Sequence, residues 1–233
     1  MPKRPTLFWN VLCTVLLASA TAYSQSNNNE NRMETFIGYT NFQSEGLPNR
    51  NTPGWVFDNG FFRSRSTQHG ANLAVSGFAT NWFSLTGDIS FARQSESRPN
   101  VSGGSDSTRT DTAYFLGGPT WKIRKTFHLE PFVRVMGGVA HTHYRVATST
   151  PLGGGTTTSS FKAGSTDFAA SAGGGFDIRL GHRVKLRALQ VDWAPIFLRD
   201  RTINVLGSAG AIEPTTLEGQ RQDNVRFSFG VVF

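Results

Sequence analysis

The sequence contains almost no cysteine and no long hydrophobic run, and these two absences narrow the class of protein. Its single cysteine, Cys13, lies inside a short apolar stretch near the amino terminus. The chain beyond this stretch therefore has no thiol, no disulfide and no cysteine metal site. Hydrophobic residues form only 38% of the 233 residues and the mean hydropathy is -0.28, which argues against a helical membrane protein.

Clusters of positive charge are also missing. The formal net charge is +7, but the Lys and Arg residues are scattered through turns and alternating segments. There is no Lys/Arg-rich run and no known nucleic-acid-binding motif, so the basic balance does not indicate a nucleic-acid partner. Phe (19) and Gly (25) are abundant, in many short strand-like runs that favour an all-β barrel or sandwich.

The amino-terminal segment has the three parts of a secretory signal peptide. Two basic residues open the chain, an apolar run extends from Leu7 to Leu17, and small residues follow. The apolar run is too short to span a membrane comfortably. The pattern predicts a signal peptide over residues 1–24, cut after Ala22 or Ser24, and then a polar spacer over residues 25–32.

The end of the chain is the clearest β-strand in the sequence. From Asn224 onward the side chains alternate with a period of two, which is the periodicity of a strand. The apolar face consists of Val225, Phe227, Phe229, Val231 and Phe233. A soluble sheet also alternates in this way, with its apolar face turned to a core. Whether this face meets a core or lipid has to be inferred from the connections and the charges in the rest of the chain.

Seven further segments show strand character between turn-forming residues. They are residues 33–42, 69–80, 83–93, 109–121, 127–144, 165–179 and 184–197. The fourth segment is apolar on both faces, so its orientation is open. In the seventh, Lys185 and Arg187 share the parity of Leu189, Val191 and Trp193. Either a β-bulge switches the phase there, or the two cations lie at the strand end, where long stems snorkel.

The connections between the eight predicted strands alternate between long and short. In an up-and-down barrel, alternate connections lie at the same end, so three short turns and both termini share one end and four long loops share the other. That is the layout of outer-membrane barrels. The predicted fold class is all-β: a single-domain, eight-stranded antiparallel up-and-down transmembrane β-barrel over residues 33–233. A soluble ligand-carrying barrel, with its apolar faces inward, is the alternative fold.

Charged residues on the polar strand faces favour lipid over a soluble core. They are Glu34, Asp88, Glu130, Arg134, Asp177, Asp192 and Arg226. A soluble core cannot hold so many charges, whereas a barrel lumen holds them if they pair. We expect a structural charge network in the lumen, with Arg179 and Arg187 as further partners. The alternative is a narrow polar path for water or ions.

Aromatic residues cluster at both ends of the predicted strands. The turn end has Trp82, Phe83, Trp121, Phe127 and Phe233, and the loop end has Tyr39, Phe42, Phe91, Tyr144, Trp193 and Phe197. Such clusters are typical of the aromatic girdles at membrane interfaces.

Other residues that often carry chemistry give weaker signals. His141 and His143 share a strand face, which suggests a metal pair or a catalytic base. No Gly-x-Ser-x-Gly elbow or matching acid accompanies them, so we interpret them as surface or girdle histidines. The glycines at 137–138 and 173–175 precede no helix and suit strand curvature, not phosphate binding. Loop arginines suggest contact with anionic lipid headgroups. These are Arg50, Arg63, Arg65, Arg199, Arg201 and Arg221.

Several motifs resemble a known family. They are Glu34-x-Phe36-x-Gly38-Tyr39, Phe115-Leu116-Gly117-Gly118-Pro119, Arg187-Ala188-Leu189-Gln190-Val191-Asp192-Trp193 and the strand ending on Phe233. Together with the signal peptide, they make residues 33–233 similar to the small outer-membrane β-barrel proteins of the OmpA-type transmembrane domain. The resemblance implies the cell outer membrane as location, and a terminal strand that the barrel-insertion machinery reads.

The resemblance is specific for fold and location but weak for activity. We expect a non-catalytic monomer without cofactor or metal, with an envelope or surface-interaction role through four long external loops. The expected partners are the insertion machinery and outer-membrane lipid, with lipopolysaccharide as a candidate. Two alternatives are open: a small porin-like channel, and a lipid-modifying or proteolytic barrel enzyme.

Overall fold

The structure is a computed structural model that describes residues 33–45, 65–99, 103–124, 128–152, 155–181, 183–206, 212–217 and 221–233. The predicted signal peptide and spacer lie outside the described residues. The described residues form β-strands, turns and bends. No helix able to cross a membrane occurs among them.

Eight of the twelve strands in the described residues close into a barrel. The strands are β1 (Met33–Glu45), β2 (Arg65–Phe78), β3 (Phe83–Pro99), β4 (Ser105–Lys122), β5 (Leu129–Leu152), β6 (Gly155–Arg179), β7 (Lys185–Trp193), β8 (Ile196–Phe197), β9 (Arg201–Leu206), β10 (Ile212–Leu217), β11 (Arg221–Gln222) and β12 (Asn224–Val232). Sequential neighbours pair from β1 to β6, β6 pairs with β7, β7 with β12, and β12 with β1. The short β8 and β11 continue β7 and β12, while β9 and β10 form a separate hairpin. The predicted eight-stranded antiparallel up-and-down barrel is confirmed.

The first and last strands complete the closure. β1 and β12 pair antiparallel from Phe36 opposite Val232 to Ser44 opposite Asn224. Beyond that ladder, the amide of Thr35 donates to the Phe233 carbonyl at 3.0 Å, and the amide of Phe233 donates to the Thr35 carbonyl at 2.9 Å. Closure removes the free strand edges that would otherwise pair with other chains.

Two of the predicted long loops are instead β-hairpins for most of their length. β3 continues to Pro99 and β4 begins at Ser105, although residues 94–108 read as a loop. β5 and β6 likewise continue to Leu152 and from Gly155. The outer parts of the β3–β4 and β5–β6 hairpins pair through their backbones. Their sequences have polar residues on both strand faces, which suits strands that are surrounded by water on both sides. The loop assignment was wrong because it rested on composition.

The apolar faces of the strands point outward. Large apolar side chains at least 42% exposed include Leu85, Ile89, Phe91, Phe115, Leu129, Val133, Val135, Val139, Phe168, Leu189, Trp193, Phe229 and Phe233. On β5 this belt runs from Leu129 to Val139, which corresponds to about 25 Å along the membrane normal for a strand tilted as in outer-membrane barrels. The soluble alternative, with apolar faces inward, is wrong.

The aromatic girdles are present, with two exceptions. At the turn end, Trp82 packs edge-on against Phe83 with ring centroids 5.9 Å apart. Phe42 and Tyr144 do not belong to the outer girdle, because strand alternation turns both to the inner face, where Phe42 is 1% exposed. Phe127 lies outside the described residues.

A β-bulge at Ala188 switches the phase of β7. Asp177 on β6 pairs with Arg187, and the next pair is Phe176 with Leu189, so Ala188 has no partner on that side. Arg187 therefore points inward, whereas the apolar side chains on either side of the bulge point to lipid. Of the two explanations for the mixed parity of β7, the bulge is the one that the structure shows.

Glycine lets β6 and β7 approach closely on the inner side. A Cβ built on Gly173 would lie 2.5 Å from Oδ1 of Asp192 and closer still to the backbone oxygen of Val191. A backbone oxygen in a sheet cannot move aside cheaply, so only glycine fits here.

We expect Gly173→Ala to lower the free energy of unfolding by about 1–3 kcal/mol, the usual cost of overpacking. Urea unfolding of the refolded barrel in vesicles measures it. Gly87→Ala is the matched control, since a Cβ at Gly87 meets nothing within 4 Å. Equal stability of the two variants would contradict the close approach.

Candidate functional site

The barrel interior holds all seven charged residues predicted for it. Glu34, Asp88, Glu130, Arg134, Asp177, Asp192 and Arg226 are each between 0 and 4% exposed. They form two groups. We call Asp88, Arg134, Asp192 and Arg226 the central charge square. We call Glu34, Glu130, Asp177 and the cations around them the inner cluster, because it lies near the short turns.

The central charge square joins four strands. Arg134 on β5 donates two hydrogen bonds to Asp192 on β7, at 3.0 and 2.7 Å, and a third to Asp88 on β3 at 3.0 Å. Arg226 on β12 donates to Asp88 at 2.7 Å and to Asp192 at 3.0 Å. Two cations and two anions cancel, and a further donation from Arg226 to Ser90 at 3.0 Å uses another of its hydrogens. Such pairing is what allows charges to stay in a dry interior.

Lys122 is the hub of the inner cluster. Its Nζ lies 2.7 Å from Glu34, 2.7 Å from Asp177 and 3.3 Å from Glu130. Lys185 bridges two of the same acids, Glu34 and Glu130, at 2.6 Å each. Arg124 and Arg179 add contacts to these acids from the rim, where the Arg179 side chain is 44% exposed.

Arg187 connects the inner cluster to the central charge square. It donates to both oxygens of Asp177, at 2.8 and 3.1 Å, and to Gln190 at 2.9 Å. Gln190 in turn donates to Asp192 at 2.6 Å. The guanidinium carbon also lies 4.4 and 4.3 Å from the ring centres of Phe36 and Phe132, a cation–π arrangement that helps a buried cation.

Above the central charge square, toward the long hairpins, a cluster of apolar side chains lies in the lumen. Phe42 and Tyr114 stack with ring centroids 5.0 Å apart and planes 4° from parallel. The Tyr114 hydroxyl donates to the Ala194 carbonyl at 3.2 Å and accepts from Asn224 at 2.8 Å. We call this group the outer apolar plug; its members are Phe42, Ala92, Tyr114, Leu116, Met136, Ala140, Ala169, Ala194 and Ile196.

A cavity between the inner cluster and the central charge square has room for roughly one water molecule, about 10 Å³. Its lining includes Glu34, Lys122, Arg134 and Arg187. This cavity is too small to form a passage for solutes.

His141 and His143 have ordinary partners. His141 Nδ1 lies 2.8 Å from the Thr166 hydroxyl, and His143 accepts from Nε of Arg145 at 3.0 Å. Within the described ranges, no group of three or more metal-ligating side chains occurs.

Sequence reasoning missed several inward residues. Lys122 was placed in a turn, yet it is the last residue of β4 and only 2% exposed. It shares the parity of Tyr114 and Thr120, so strand alternation carried the signal. Lys185 was missed because the bulge puts it on the opposite numbering parity from Asp192, whereas Gln190 shares the parity of Asp192 and was missed because only charged residues were counted.

No family model matches the sequence, and no curated protein matches it. Solved structures similar to this chain include Ail, the attachment invasion locus protein of Yersinia pestis, at 14% identity and a TM-score of 0.45, with 88% of this chain and 100% of Ail covered. The outer membrane protease OmpT from Escherichia coli is 9% identical at a TM-score of 0.46, covering 90% and 99%. Neisserial surface protein A is 8% identical at a TM-score of 0.42, covering 88% and 98%.

The assignment of the fold rests on this chain's own strand pairing and burial. Eight strands pair into a closed ring, the charges lie inside it, and a belt of apolar side chains lies outside. A polar interior within an apolar belt is the arrangement of barrels that cross a bilayer. The chain is an eight-stranded transmembrane β-barrel.

Proposed function

We propose that this protein is a closed outer-membrane barrel without catalytic activity, which acts at the cell surface through its external β-hairpins. The observation that carries the proposal is the filled lumen. The inner cluster, the central charge square and the outer apolar plug follow one another along the barrel, and the cavity between the first two has room for about one water molecule.

The external hairpins support a surface role. On β5 the exposed apolar belt ends at Val139, whereas the strand continues to Leu152. β4 and β6 pair with it along most of this extension. A paired sheet that projects from the membrane offers a more rigid surface than free loops do, because its backbone groups already bond each other.

The interior charges have a structural role in this proposal. They link β1, β3, β4, β5, β6, β7 and β12 across the lumen, and an unpaired charge there would be costly. We further propose that residues 1–24 are removed on export and that the insertion machinery reads the terminal strand face. That face consists of Val225, Phe227, Phe229, Val231 and Phe233.

The absence of catalysis is likewise a proposal. It is supported by the partners of His141 and His143, a hydroxyl and a guanidinium. A catalytic histidine of a hydrolase needs an acid to orient it and a nucleophile to activate, and among the residues that the structure describes neither histidine has such a pair of partners.

Single-channel recording tests the closed lumen against the porin-like alternative. Residues 25–233, refolded and added to a planar bilayer, are expected to insert without discrete current steps, because charged and apolar side chains fill the lumen. Protease protection in vesicles made from the same preparation verifies insertion. Reproducible steps from inserted protein would contradict the proposal and favour a channel.

A further inference from the structure

The outward faces of β3 to β6 carry a group of cations just beyond the apolar belt. We call Arg93, Arg109, Arg145 and Lys162 the outer cationic patch. All four sit at outward strand positions, and the side chains of Arg93 and Arg109 are 49% and 38% exposed. Arg145 and Lys162 are exposed as well.

Three members of the outer cationic patch lie directly opposite one another. Arg109 on β4 is in register with Arg145 on β5, and Arg145 is in register with Lys162 on β6. Neighbouring strands are about 4.8 Å apart, so three positive charges share one short row. Like charges directly opposite on a sheet destabilise it. A row of this kind therefore favours an anion that spans it.

The chain itself supplies one acid on this face. Asp111 is the one acidic residue at an outward position of β3 to β6. It lies 2.6 Å from Nε of Arg93 and 3.3 Å from Nε of Arg109. Partial burial raises the pKa of Asp111. The two cations outweigh this effect and hold the pKa of Asp111 below its ordinary value. Among the described residues, no acid forms an ion pair with Arg145 or Lys162.

The height of the outer cationic patch matches the headgroup layer. Ile89, Phe115, Val139 and Phe168 form one register row of exposed apolar side chains. Arg93 lies four residues further out on its strand, and the row through Arg109 lies two residues beyond that. For tilted strands this places the cations about 10 and 15 Å above that apolar row along the membrane normal. Long stems can bend back toward the interface from there.

We propose that the outer cationic patch binds the phosphate groups of anionic glycolipid in the outer leaflet, with Arg109, Arg145 and Lys162 gripping one headgroup. The chemistry is that of guanidinium and ammonium donors on phosphate oxygens. The inference rests on the proposed surface role and assigns the lipid contact to strand faces, not to the loop arginines named from sequence.

Binding of fluorescent lipopolysaccharide to the detergent-refolded protein tests this site. We expect the triple variant Arg109→Gln/Arg145→Gln/Lys162→Gln to bind at least about tenfold more weakly than the unchanged chain. We also expect the unchanged chain to lose a similar factor when the lipopolysaccharide has been stripped of phosphate. Each loss should shrink as salt is raised, since exposed charges are screened.

The matched control removes the same charge elsewhere. Arg183, Arg199 and Arg221 are exposed and lie outside the patch, and their triple replacement by Gln should bind within about twofold of the unchanged chain. An equal loss in both triples would overturn the site in favour of general attraction, as would equal binding of stripped lipid. If the first triple does not refold, Arg145→Gln alone should lose at least about threefold, and unchanged binding would overturn the proposal. Current steps in the bilayer recording would count against the closed lumen but not against this comparison.

Discussion

Asp192→Ala is expected to lower the free energy of unfolding of the refolded barrel by about 3–5 kcal/mol. Asp192 accepts two bonds from Arg134, one from Arg226 and one from Gln190. Its removal leaves two fully buried guanidinium groups with a single acid between them. Urea titration in vesicles, followed by tryptophan fluorescence, measures the change.

Asp111→Ala is the matched control for this prediction. Asp111 also lies beside two arginines, but these are 49% and 38% exposed, so its loss should cost less than about 1 kcal/mol. The double variant Asp192→Ala/Arg134→Ala should lose less than the sum of the two single variants, because it deletes a cation along with its partner. Additive losses, or a loss at Asp192 no larger than at Asp111, would show that the central charge square is not a coupled unit.

Lys122→Met should have an effect of similar size at the other group of charges. Methionine keeps the length and bulk of the side chain but removes the ammonium group that contacts Glu34, Glu130 and Asp177. The three buried carboxylates are then left with the cations around them, some of which lie at the rim. These cations are Arg124, Arg179, Lys185 and Arg187. We expect a loss of about 3–5 kcal/mol in the same unfolding experiment.

Arg179→Met provides the comparison for Lys122. Arg179 touches one of the same acids, Glu130, but its side chain is 44% exposed, and its removal should cost less than about 1 kcal/mol. If both variants keep the stability of the unchanged chain, then water reaches the inner cluster freely and the lumen is not closed at this end.

Much of the fold could be predicted because lipid and lumen impose a strict alternation on every strand. Asp88, Arg134 and Arg226 each fall on the polar parity of a strand with a clear apolar face, so their inward position follows from the sequence. Phe42 shows the limit of reading residue type alone. It was assigned to a girdle as an aromatic residue near a strand end, although its parity is that of Phe36, which is also buried.

The pairing of charges inside the lumen could not be predicted. Glu34 meets Lys122 across 88 positions of sequence, and Arg226 meets Asp88 across 138. Which inward residues share a level depends on how far successive strands shift relative to one another around the barrel. That shift comes from pairing geometry and leaves no local trace in the side-chain pattern.

The ends of the hairpins were mispredicted for a different reason. Inside the membrane an unpaired backbone and a charged outward side chain both cost free energy. The alternation of polar and apolar residues is therefore clear in the sequence of the membrane-spanning parts of the strands. Beyond it, water relaxes both constraints, and stretches such as residues 145–164 lose the alternation while the backbone pairing continues.

The bulge at Ala188 makes one stretch of this chain tolerant of a change in length, in a way that its composition does not reveal. Residues before it and after it follow two different frames of alternation in residue number, because the bulge holds one supernumerary residue. Deleting Ala188 would merge the two frames into one regular alternation, with Lys185 and Arg187 still facing the lumen and Leu186 and Leu189 still facing lipid. The strand could therefore shorten by one residue at this position without exchanging its two faces.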